Sequence, residues 1–563
     1  MNRTPLIWAV LIGASVVSHS WAIAASGSGV SPVFVLNTCS GSGSGTSPAF
    51  LLDTRIPAVL QGMVTGQTEM GDSLGPVTGA SVRLLGIGSR TTDNSGEFSF
   101  ESITAGAYTL EVSAWGYYST SHTLTFAAGE MKNESVTLIW ATGEATKMVD
   151  GYGPDAGYSH EQHIRALADV NGDGMDDIVA FGNPGVQVAT STGNGFQHGG
   201  WWDRLMSYDN AWRVEKHPRL AADMNGDGMA DIVGFGDRGV FIGFSNGSGF
   251  SAPEQRISGF GYRDGWRVRD EETSGTYDLD EIWTAAEQFC LAQQFPGQYV
   301  EHPRMAVDIN GDGSLDIAGF GPQGVTVALN NGDGTFDDTS VWFAGWYEAD
   351  GWRASEHVRT FADLNGDGFL DIVGIGQRKV AICLCEDTDS DGFGDAYLTP
   401  QGWKGDFSAD MAWRVALHPR MTASVNGDSM ADLVCFGDKG VLVSLCDGSD
   451  FLAPEQWLKN QFCRSEGWSS PADFPRGMVD LDLDGDDDIL GVGTDGVYVT
   501  LGVDNTGDGH ADSFTAPQMW VNSFGVSSDP PWDPTRHLRL VGDVDGDGIP
   551  EIVGFYDDGV YVY

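Results

Sequence analysis

Residues 223–236 read Asp223-Met-Asn-Gly-Asp-Gly-Met-Ala-Asp-Ile-Val-Gly-Phe-Gly, and this stretch decides the fold. Oxygen-bearing side chains stand at loop positions 1, 3, 5 and 9: Asp223, Asn225, Asp227 and Asp231. Glycines at positions 4 and 6 let the backbone turn tightly enough for those oxygens to converge. Carboxylates, a carboxamide and the backbone carbonyl of Met229 at position 7 make the all-oxygen shell that a hard cation such as Ca2+ takes. An EF-hand loop would reach a Glu at position 12 and lie between helices. Here position 12 is Gly234, and the Ile-Val-Gly-Phe-Gly and Gly-Val-Phe-Ile-Gly-Phe runs read as short strands about a turn. The loop joins strands.

The spacing recurs. Asp169/Asn171/Asp173/Asp177, Asp308/Asn310/Asp312/Asp316, Asp363/Asn365/Asp367/Asp371 and Asp543/Asp545/Asp547/Glu551 repeat it, with Met175, Ser314, Phe369 and Ile549 at the carbonyl position. Two copies are worn. Ser424/Asn426/Asp428/Asp432 lacks the first carboxylate and the second glycine, and Asp480–Asp488 fits with Leu483 replacing a glycine or in a shifted, shortened register. The seven copies start 54, 85, 55, 61, 56 and 63 residues apart. A repeat at that period is an array of supersecondary units, and its all-β form is a propeller, here with seven blades. Oxygen-only, flexible loops favour Ca2+ over zinc, and ions held there contribute to folding free energy.

The repeat collapses most of the 563 residues into one ring. A formal charge of −49 argues against nucleic acid as a partner, because its phosphates would be repelled. With 41% hydrophobic and 11% aromatic residues the chain is too apolar for a disordered acidic polymer.

Residues 1–25 read as a secretory signal: Arg3, an apolar run from Leu6 to Val17, then Ala22-Ile-Ala24 as a small-residue cleavage site. The apolar run is short for a bilayer span, so a secreted chain is expected, with no membrane span once the signal is removed. Residues 26–57 form a Gly/Ser-rich linker. Cys39 within it lies too far from the cleavage point for lipid attachment.

Residues 58–140 form a separate module. Short alternating stretches such as Ala80-Ser-Val-Arg-Leu-Leu and Tyr108-Thr-Leu-Glu-Val, parted by Gly, Asn and Asp turns, predict a small antiparallel β-sandwich. The series Gly79-Ala-Ser-Val, Thr92-Asp-Asn-Ser-Gly-Glu-Phe, Gly106-Ala-Tyr-Thr-Leu and Gly116-Tyr resembles the carboxypeptidase regulatory-like (transthyretin-like) domain. That resemblance implies a non-catalytic spacer or adhesive module. Gly71-Asp-Ser73-Leu-Gly75 matches a nucleophile-elbow string, but the elbow needs a strand-to-helix turn and His/Asp partners, so it is read as a turn.

From about residue 145 each unit runs through Trp-Arg, His-x-Arg, the acidic loop, Asp-Ile-Val-Gly-Phe-Gly, Gly-Val-x-Val and an aromatic closing strand. The last unit stops at Gly559-Val-Tyr-Val-Tyr563 without a closing strand. Residues 146–158 are therefore expected to complete blade seven and seal the ring, removing an exposed edge. Residues 270–299 are an insertion in which Leu279, Ile282, Trp283, Ala286 and Phe289 recur at helical intervals. Asp387/Asp389/Asp391/Asp395 (Phe393 at the carbonyl position) and Asp504/Thr506/Asp508/Asp512 (His510) are two further cation-type loops, expected between blades. Asn330-Asn-Gly-Asp-Gly-Thr-Phe reads as a turn.

The units look like FG-GAP/VCBS repeats. They are closer still to the Psathyrella velutina lectin-like family, through Gly265-Trp-Arg-Val, Trp212-Arg-Val-Glu-Lys-His-Pro-Arg219 and Ala230-Asp-Ile-Val-Gly-Phe-Gly-Asp-Arg-Gly-Val240. The resemblance covers roughly residues 145–563. It implies a seven-bladed propeller with calcium in hairpin loops and glycans, N-acetylglucosamine-type among them, held between neighbouring blades. The residues that would carry sugar are Trp212, Arg213, His217 and Arg219, with Trp266, Arg267, His302 and Arg304, Trp352, Arg353, His357 and Arg359, and Trp413, Arg414, His418 and Arg420. An aromatic platform beside fixed donors suits the apolar face and hydroxyl rim of a sugar. The bland reading of residues repeated in every blade is that they hold blades together. Blade one has Tyr158 for Trp and lacks the Arg, blade six has Ser469 after Trp468 and Phe474 for His, and blade seven has Asp533 after Trp532. Fewer than seven working pockets are expected.

Two other functions compete. An integrin-like adhesin would bind cell-surface or matrix proteins through the ring face and the 270–299 insertion. A polysaccharide-acting enzyme would need a unique acid–base pair. His160-Glu-Gln-His163 lacks the spacing of a zinc helix, and the 270–299 insertion, with Asp278, Asp280 and Glu281, is the only place to look for such a pair. No catalytic residue is assigned. Seven cysteines leave at least one unpaired, with connectivity open. Asn133-Glu-Ser and Asn246-Gly-Ser are glycosylation strings.

Overall fold

The structure, a computed structural model, describes residues 57–67, 73–114, 116–267, 301–403 and 407–563. The signal segment, nearly all of the Gly/Ser linker with Cys39, the 270–299 insertion and the start of the Gly71–Gly75 string lie outside the described residues.

Residues 58–140 form two facing sheets. One holds strands Ala58–Gln67, Ser73–Pro76, Glu97–Ile103, Tyr117–Tyr118 and Met131–Trp140; the other holds Ser81–Leu84, Gly88–Thr91, Gly106–Ser113 and Thr120–Phe126. Alternating residues (Leu60, Val64, Val82, Leu84, Phe98, Phe100, Leu110, Val112) fill the space between them. The sandwich departs from the antiparallel expectation in one pairing. Ala58–Gln67 runs parallel to Met131–Trp140, in register from Val59↔Met131 to Gln67↔Ile139. A parallel pair needs a long crossover, and the whole second sheet supplies it.

Seven four-stranded antiparallel sheets follow. Blade one is Ile164–Ala168, Asp177–Phe181, Val186–Ser191 and Phe196–Asp203; blade two is Arg219–Ala222, Asp231–Phe235, Gly239–Gly243 and Glu254–Ser258. The innermost strands of blades three to seven begin at Arg304, Val358, Arg420, Arg476 and Leu538. Blade seven has three strands from the C-terminal end, and its fourth is Thr146–Asp150, paired antiparallel with Gly559–Val562. The ring is sealed as expected, although residues 154–156 form a 3-10 turn instead of more strand. In blades one to six the second strand is buried along its whole length, because each blade is covered on both faces by neighbours. One apolar cluster thus joins Val179, Phe181 and Val188 of blade one to Ala230 and Ile232 of blade two.

The glycine in Asp-Ile-Val-Gly-Phe-Gly is explained by an indole. A Cβ on Gly234 would lie 2.6 Å from the Trp212 ring, on Gly491 2.7 Å from Trp468, and on Gly554 2.4 Å from Trp532. The tryptophan lies on bare backbone. Gly234→Ala is expected to push Trp212 outward and cost about 1–3 kcal/mol, measured by urea denaturation. Blade one pairs the smaller Tyr158 with Ala180 at this place.

The sandwich is tied to blade six. Trp140 Nε1 donates to the Met519 carbonyl (2.8 Å), Gly143 N–H to Trp520 O (3.0 Å), and Asn522 N–H to Gly143 O (3.2 Å). Among the described residues, no helix is long and apolar enough to cross a membrane. Cys383, Cys385, Cys435, Cys446 and Cys463 are buried free thiols.

Candidate cation loops and a candidate ligand cavity

Each acidic loop connects a blade's innermost strand to its second strand. In blade two the Asp223 carboxylate accepts N–H bonds from Gly226 and Gly228 (both 2.8 Å), and Asp227 Oδ1 accepts the Met229 N–H (3.0 Å). Asp231 is fully buried and accepts N–H bonds from Met224 (3.0 Å) and Ser245 (2.7 Å), the latter from the turn between strands three and four. The loops at Asp169, Asp308 and Asp363 repeat this pattern. In the Asp543 loop, Glu551 takes the Val544 N–H.

The electrostatics are unfavourable without a cation. Burial, opposed by backbone hydrogen bonds and reinforced by neighbouring carboxylates, pushes Asp177, Asp231, Asp316 and Asp371 up to about 7 and Glu551 to about 8. A divalent ion among these oxygens would hold every carboxylate ionised.

Convergence is narrower than the spacing implies. Carboxylate oxygens of Asp387/Asp389/Asp395, Asp480/Asp482/Asp488 and Asp543/Asp545/Glu551 lie within 4.8 Å of one another. The first trio leaves out Asp391, whose Oδ1 accepts the Phe393 N–H (3.0 Å), and the last leaves out Asp547, whose Oδ1 accepts the Ile549 N–H (2.8 Å). Position 5 is tied in the same way in other blades: Asp173 accepts from Met175 (3.0 Å), Asp312 from Ser314 (2.8 Å) and Asp367 from Phe369 (2.9 Å). The position-3 amides bond to position 5. Asn171 Oδ1 and Asn225 Oδ1 accept the Asp173 and Asp227 N–H groups (2.9 and 3.0 Å). Asn310 and Asn365 donate through Nδ2 to Asp312 (3.2 Å) and Asp367 (2.8 Å).

In the second accessory loop Asp504, Asp508 and Asp512 form no such trio among the described residues. There Thr506 Oγ1 donates to Asp504 Oδ1 (3.3 Å), Asp508 Oδ1 accepts the His510 N–H (3.3 Å), and Asp512 Oδ1 accepts from Asn505 Nδ2 (2.5 Å). These bonds correct the expectation that every loop presents its four side chains as one converged shell. Like charges repel, and nearby N–H groups compete for the same oxygens. The donor chemistry still fits a hard cation at positions 1, 3, 5 and 9.

The Asp480 set is absent from the ligands read from sequence. The structure gives its register: Asp480, Asp482, Asp484 and Asp488 occupy positions 1, 3, 5 and 9, and Leu483 takes the glycine's left-handed conformation (φ 60°). That costs a non-glycine residue roughly 1–2 kcal/mol, which is why the pattern looks broken. The spacing of the carboxylates is the signal. The two accessory loops also differ from expectation in place. They lie inside blades four and six, in hairpins Cys385–Glu386/Ala396–Tyr397 and Gly502–Val503/Ser513–Phe514 between strands three and four. The Asn330 segment occupies the same place in blade three as a plain turn, bridged Asn330↔Phe336.

The loops are stitched round the ring. Ala230 N–H donates to Asp169 O (2.7 Å), Ala431 to Asp363 O (2.8 Å), Asp487 to Ser424 O (2.7 Å) and Asp176 to Asp543 O (2.6 Å). Accessory loops lean on the preceding blade: Gly394 N–H donates to Asn310 O (3.0 Å), and His510 Nδ1 lies 2.8 Å from Asn426 O.

The other end of each blade carries the Trp-Arg and His-x-Arg residues, and most are framework. Arg219, Arg304, Arg359 and Arg420 are buried. Arg219 lies over Phe181 and Arg304 over Phe235 of the preceding blade, while Arg359 and Arg420 donate to the Trp346 and Phe407 carbonyls (2.9 Å). Backbone N–H groups of Arg213, Arg267, Arg353 and Arg414 donate to Nδ1 of His217, His302, His357 and His418. Nε2 therefore carries the proton, donated by His217 and His418 to Asp237 and Asp438 (3.2 Å). Burial keeps these imidazoles neutral, lowering His302 to about 3. The four arginines Arg219, Arg304, Arg359 and Arg420, the four histidines and Trp266 are all buried. Trp212, Arg213, Trp352, Arg353, Trp413, Arg414 and Arg267 keep some exposure. Arg213 is folded onto its own turn, 3.8 Å over Tyr208 and bonded to its carbonyl.

A formed cavity lies where the sequence pattern breaks, at the seam between the closing strand of blade seven and blade one. It has a volume of about 240 Å³, lined by Tyr152, Tyr158, His163, Asn183, Gln187, His198 and Trp201. Tyr158 OH donates to Gln187 Oε1 (3.1 Å), His163 Nε2 to Asn183 Oδ1 (3.0 Å), and Tyr152 stacks on His198 with centroids 5.6 Å apart. Burial raises both phenols, Tyr158 to about 12, so they stay protonated. Trp201 is 39% exposed at the rim, with Arg204 5.0 Å over its ring. None of the lining residues is Asp, Glu, Lys or Arg. Ser159 stands where blades two to five place Arg. By sequence that change reads as a lost site.

Residues 169–234 and 308–374 match the FG-GAP-like repeat family, and residues 59–139 match the carboxypeptidase regulatory-like domain. The chain thus contains both. No curated protein matches it. Among solved structures it is similar to a lectin of Agrocybe aegerita described as recognising non-reducing terminal N-acetylglucosamine, at 28% identity and a TM-score of 0.57 over 82% of this chain and 96% of that one. A Photorhabdus luminescens Tc holotoxin pore (11% identity, TM-score 0.33, 83% and 18% covered) and AofleA of Arthrobotrys oligospora (9%, 0.31, 62% and 83%) overlay too loosely to inform the site.

Proposed function

We propose that this chain is an exported, calcium-stabilised β-propeller that binds neutral, non-reducing terminal sugars in the cavity between blades seven and one. The cavity carries the reading. Its volume suits a single sugar ring, its walls offer aromatic faces beside phenol, amide and imidazole groups, and it presents no formal charge. Likeness to the Agrocybe aegerita lectin supports N-acetylglucosamine as the first ligand to test. The calcium loops shape the ring, and no catalytic step is assigned to any residue.

A glycan array with the full mature chain in calcium is the test. Selective binding to neutral terminal sugars is expected, with Trp201→Ala weakening it about tenfold, equivalent to roughly 1.4 kcal/mol. Binding unchanged by Trp201→Ala and Tyr158→Ala would place the sugar elsewhere. An array without hits, from folded protein, would favour protein adhesion.

A further inference from the structure

We infer that four of the acidic loops deamidate their own position-3 asparagine, with the position-1 carboxylate as the base and the position-4 glycine nitrogen as the nucleophile. Asn171, Asn225, Asn310 and Asn365 each precede a glycine, whose missing Cβ leaves that nitrogen unshielded. Blade two shows the reacting groups in place. Gly226 N–H donates to Asp223 Oδ1 (2.8 Å), so a carboxylate already holds the proton that must leave. Asp227 N–H donates to Asn225 Oδ1 (3.0 Å). That bond folds the amide back over the Asn-Gly peptide and polarises its carbonyl. Asn225 Nδ2, the leaving nitrogen, donates to Asp227 Oδ2 (3.1 Å).

An N–H bond lies in the peptide plane, so the proton leaves sideways while the face of the nitrogen stays open to the folded-back amide. A bond forms from Gly226 N to Asn225 Cγ as the proton passes to Asp223. The Cγ–Nδ2 bond then breaks, the proton is handed to the departing nitrogen, and ammonia leaves a succinimide. Water opens that ring, and Gly226 and Asp227 are exposed to it. Opening at Cγ gives aspartate; opening at the main-chain carbonyl gives isoaspartate. The aspartate product carries the acid that blade seven has at Asp545.

The other three loops repeat the arrangement. Gly172, Gly311 and Gly366 N–H groups donate to Asp169, Asp308 and Asp363 (2.7, 2.8 and 2.7 Å). Position-5 N–H groups reach Oδ1 of Asn171, Asn310 and Asn365 (2.9, 3.2 and 3.1 Å). Three further Asn-Gly pairs lack the base. Asn426 of blade five keeps both bonds to Asp428 (3.3 and 2.9 Å), but Ser424 stands at position 1. Asn426 and Asn310 are both buried (7% and 4% exposed), so this pair isolates the carboxylate. Gly247 N–H donates to the Ser245 hydroxyl (3.2 Å) and Gly332 N–H to Asn330 Oδ1 (3.1 Å), neither of them a base. Asn246 and Asn331 are exposed, so solvent access alone would make them the fastest.

The test is peptide mapping by mass spectrometry of the full chain, kept folded in EDTA at neutral pH and sampled over time. Conversion at Asn171, Asn225, Asn310 and Asn365 is expected to run about tenfold or more faster than at Asn246, Asn331 and Asn426. In urea, where the loop bonds are lost, the seven rates should converge. Equal rates in the folded chain, or faster conversion at Asn246 and Asn331, would overturn the inference, as would a difference that persists in urea. Asp223→Asn should slow Asn225 alone, and Ser424→Asp should speed Asn426. Should Asp223→Asn fail to fold, Ser424→Asp decides: an unchanged rate at Asn426 overturns the role of the carboxylate.

Discussion

In EDTA, the melting temperature of the ring is expected to fall as pH rises from 5 to 8, and excess calcium is expected to reverse that trend. The sign follows from the buried acids. Asp177, Asp231, Asp316, Asp371 and Asp432 sit at about 7 when folded, against about 4 in an unfolded chain. Between those values the cation-free folded state holds protons that the unfolded state has released, so its stability drops as pH climbs through the folded value. A bound cation removes the need for those protons, and its affinity rises as they leave. Each site at a free calcium concentration one hundred times its Kd contributes about 2.7 kcal/mol. Several such sites, stitched from blade to blade, should separate the calcium and EDTA melts at pH 7.5 by roughly 10 °C or more. Scanning calorimetry measures this, and coincident melts would show that the loops are plain acidic turns.

Gly153→Ala is expected to open the ring at its seam. The closing strand Thr146–Asp150 continues into Gly151, whose N–H donates to Asp558 O (3.3 Å), and Asp155, whose N–H donates to Asp557 O (2.9 Å). Between them a Cβ on Gly153 would lie 1.8 Å from the Tyr556 carbonyl oxygen and 2.9 Å from that of Asp557. Those atoms are backbone, so the two chain ends must separate. The direct cost is about 3 kcal/mol, and the same displacement carries Tyr152 and Tyr158 away from the cavity. Urea denaturation should report the loss of stability, and limited proteolysis new cleavage near residues 146–158. Native-like stability with intact sugar binding would mean that the closing segment is not the fastener described here.

The seam joins the two halves of this account. Blades two to six receive their leading segment directly from the preceding blade, whereas blade one receives it after the sealing strand. Tyr152 and Tyr158 come from that segment, and Asn183, Gln187, His198 and Trp201 from blade one itself.

Much of this was legible beforehand. Four oxygens at fixed spacing with glycines between them can be read without a structure, as can a C-terminal unit lacking one strand. Spacing does not show which oxygens already serve a neighbouring N–H, so the local bonds of Asp391, Asp508 and Asp547 could not be foreseen. Leu483 hid a complete set of carboxylates, because a left-handed leucine is something a sequence pattern penalises and a packed loop can tolerate. The His-x-Arg residues recur for packing, and recurrence alone does not separate a wedge from a ligand contact. Blade one looked like a failed copy, since volume left by Tyr158 and Ser159 is a property of three-dimensional packing. Parallel pairing within the sandwich was equally invisible, because it joins strands some 70 residues apart in sequence.

The most direct measurement of the central claim is a crystal structure of the calcium-loaded chain soaked with an oligosaccharide ending in non-reducing N-acetylglucosamine. Sugar density between Tyr158 and Trp201, within hydrogen-bond reach of Asn183 or His198, is the result this account predicts. Density confined to the Trp212, Trp352 or Trp413 seams, or none at saturating ligand, would contradict it.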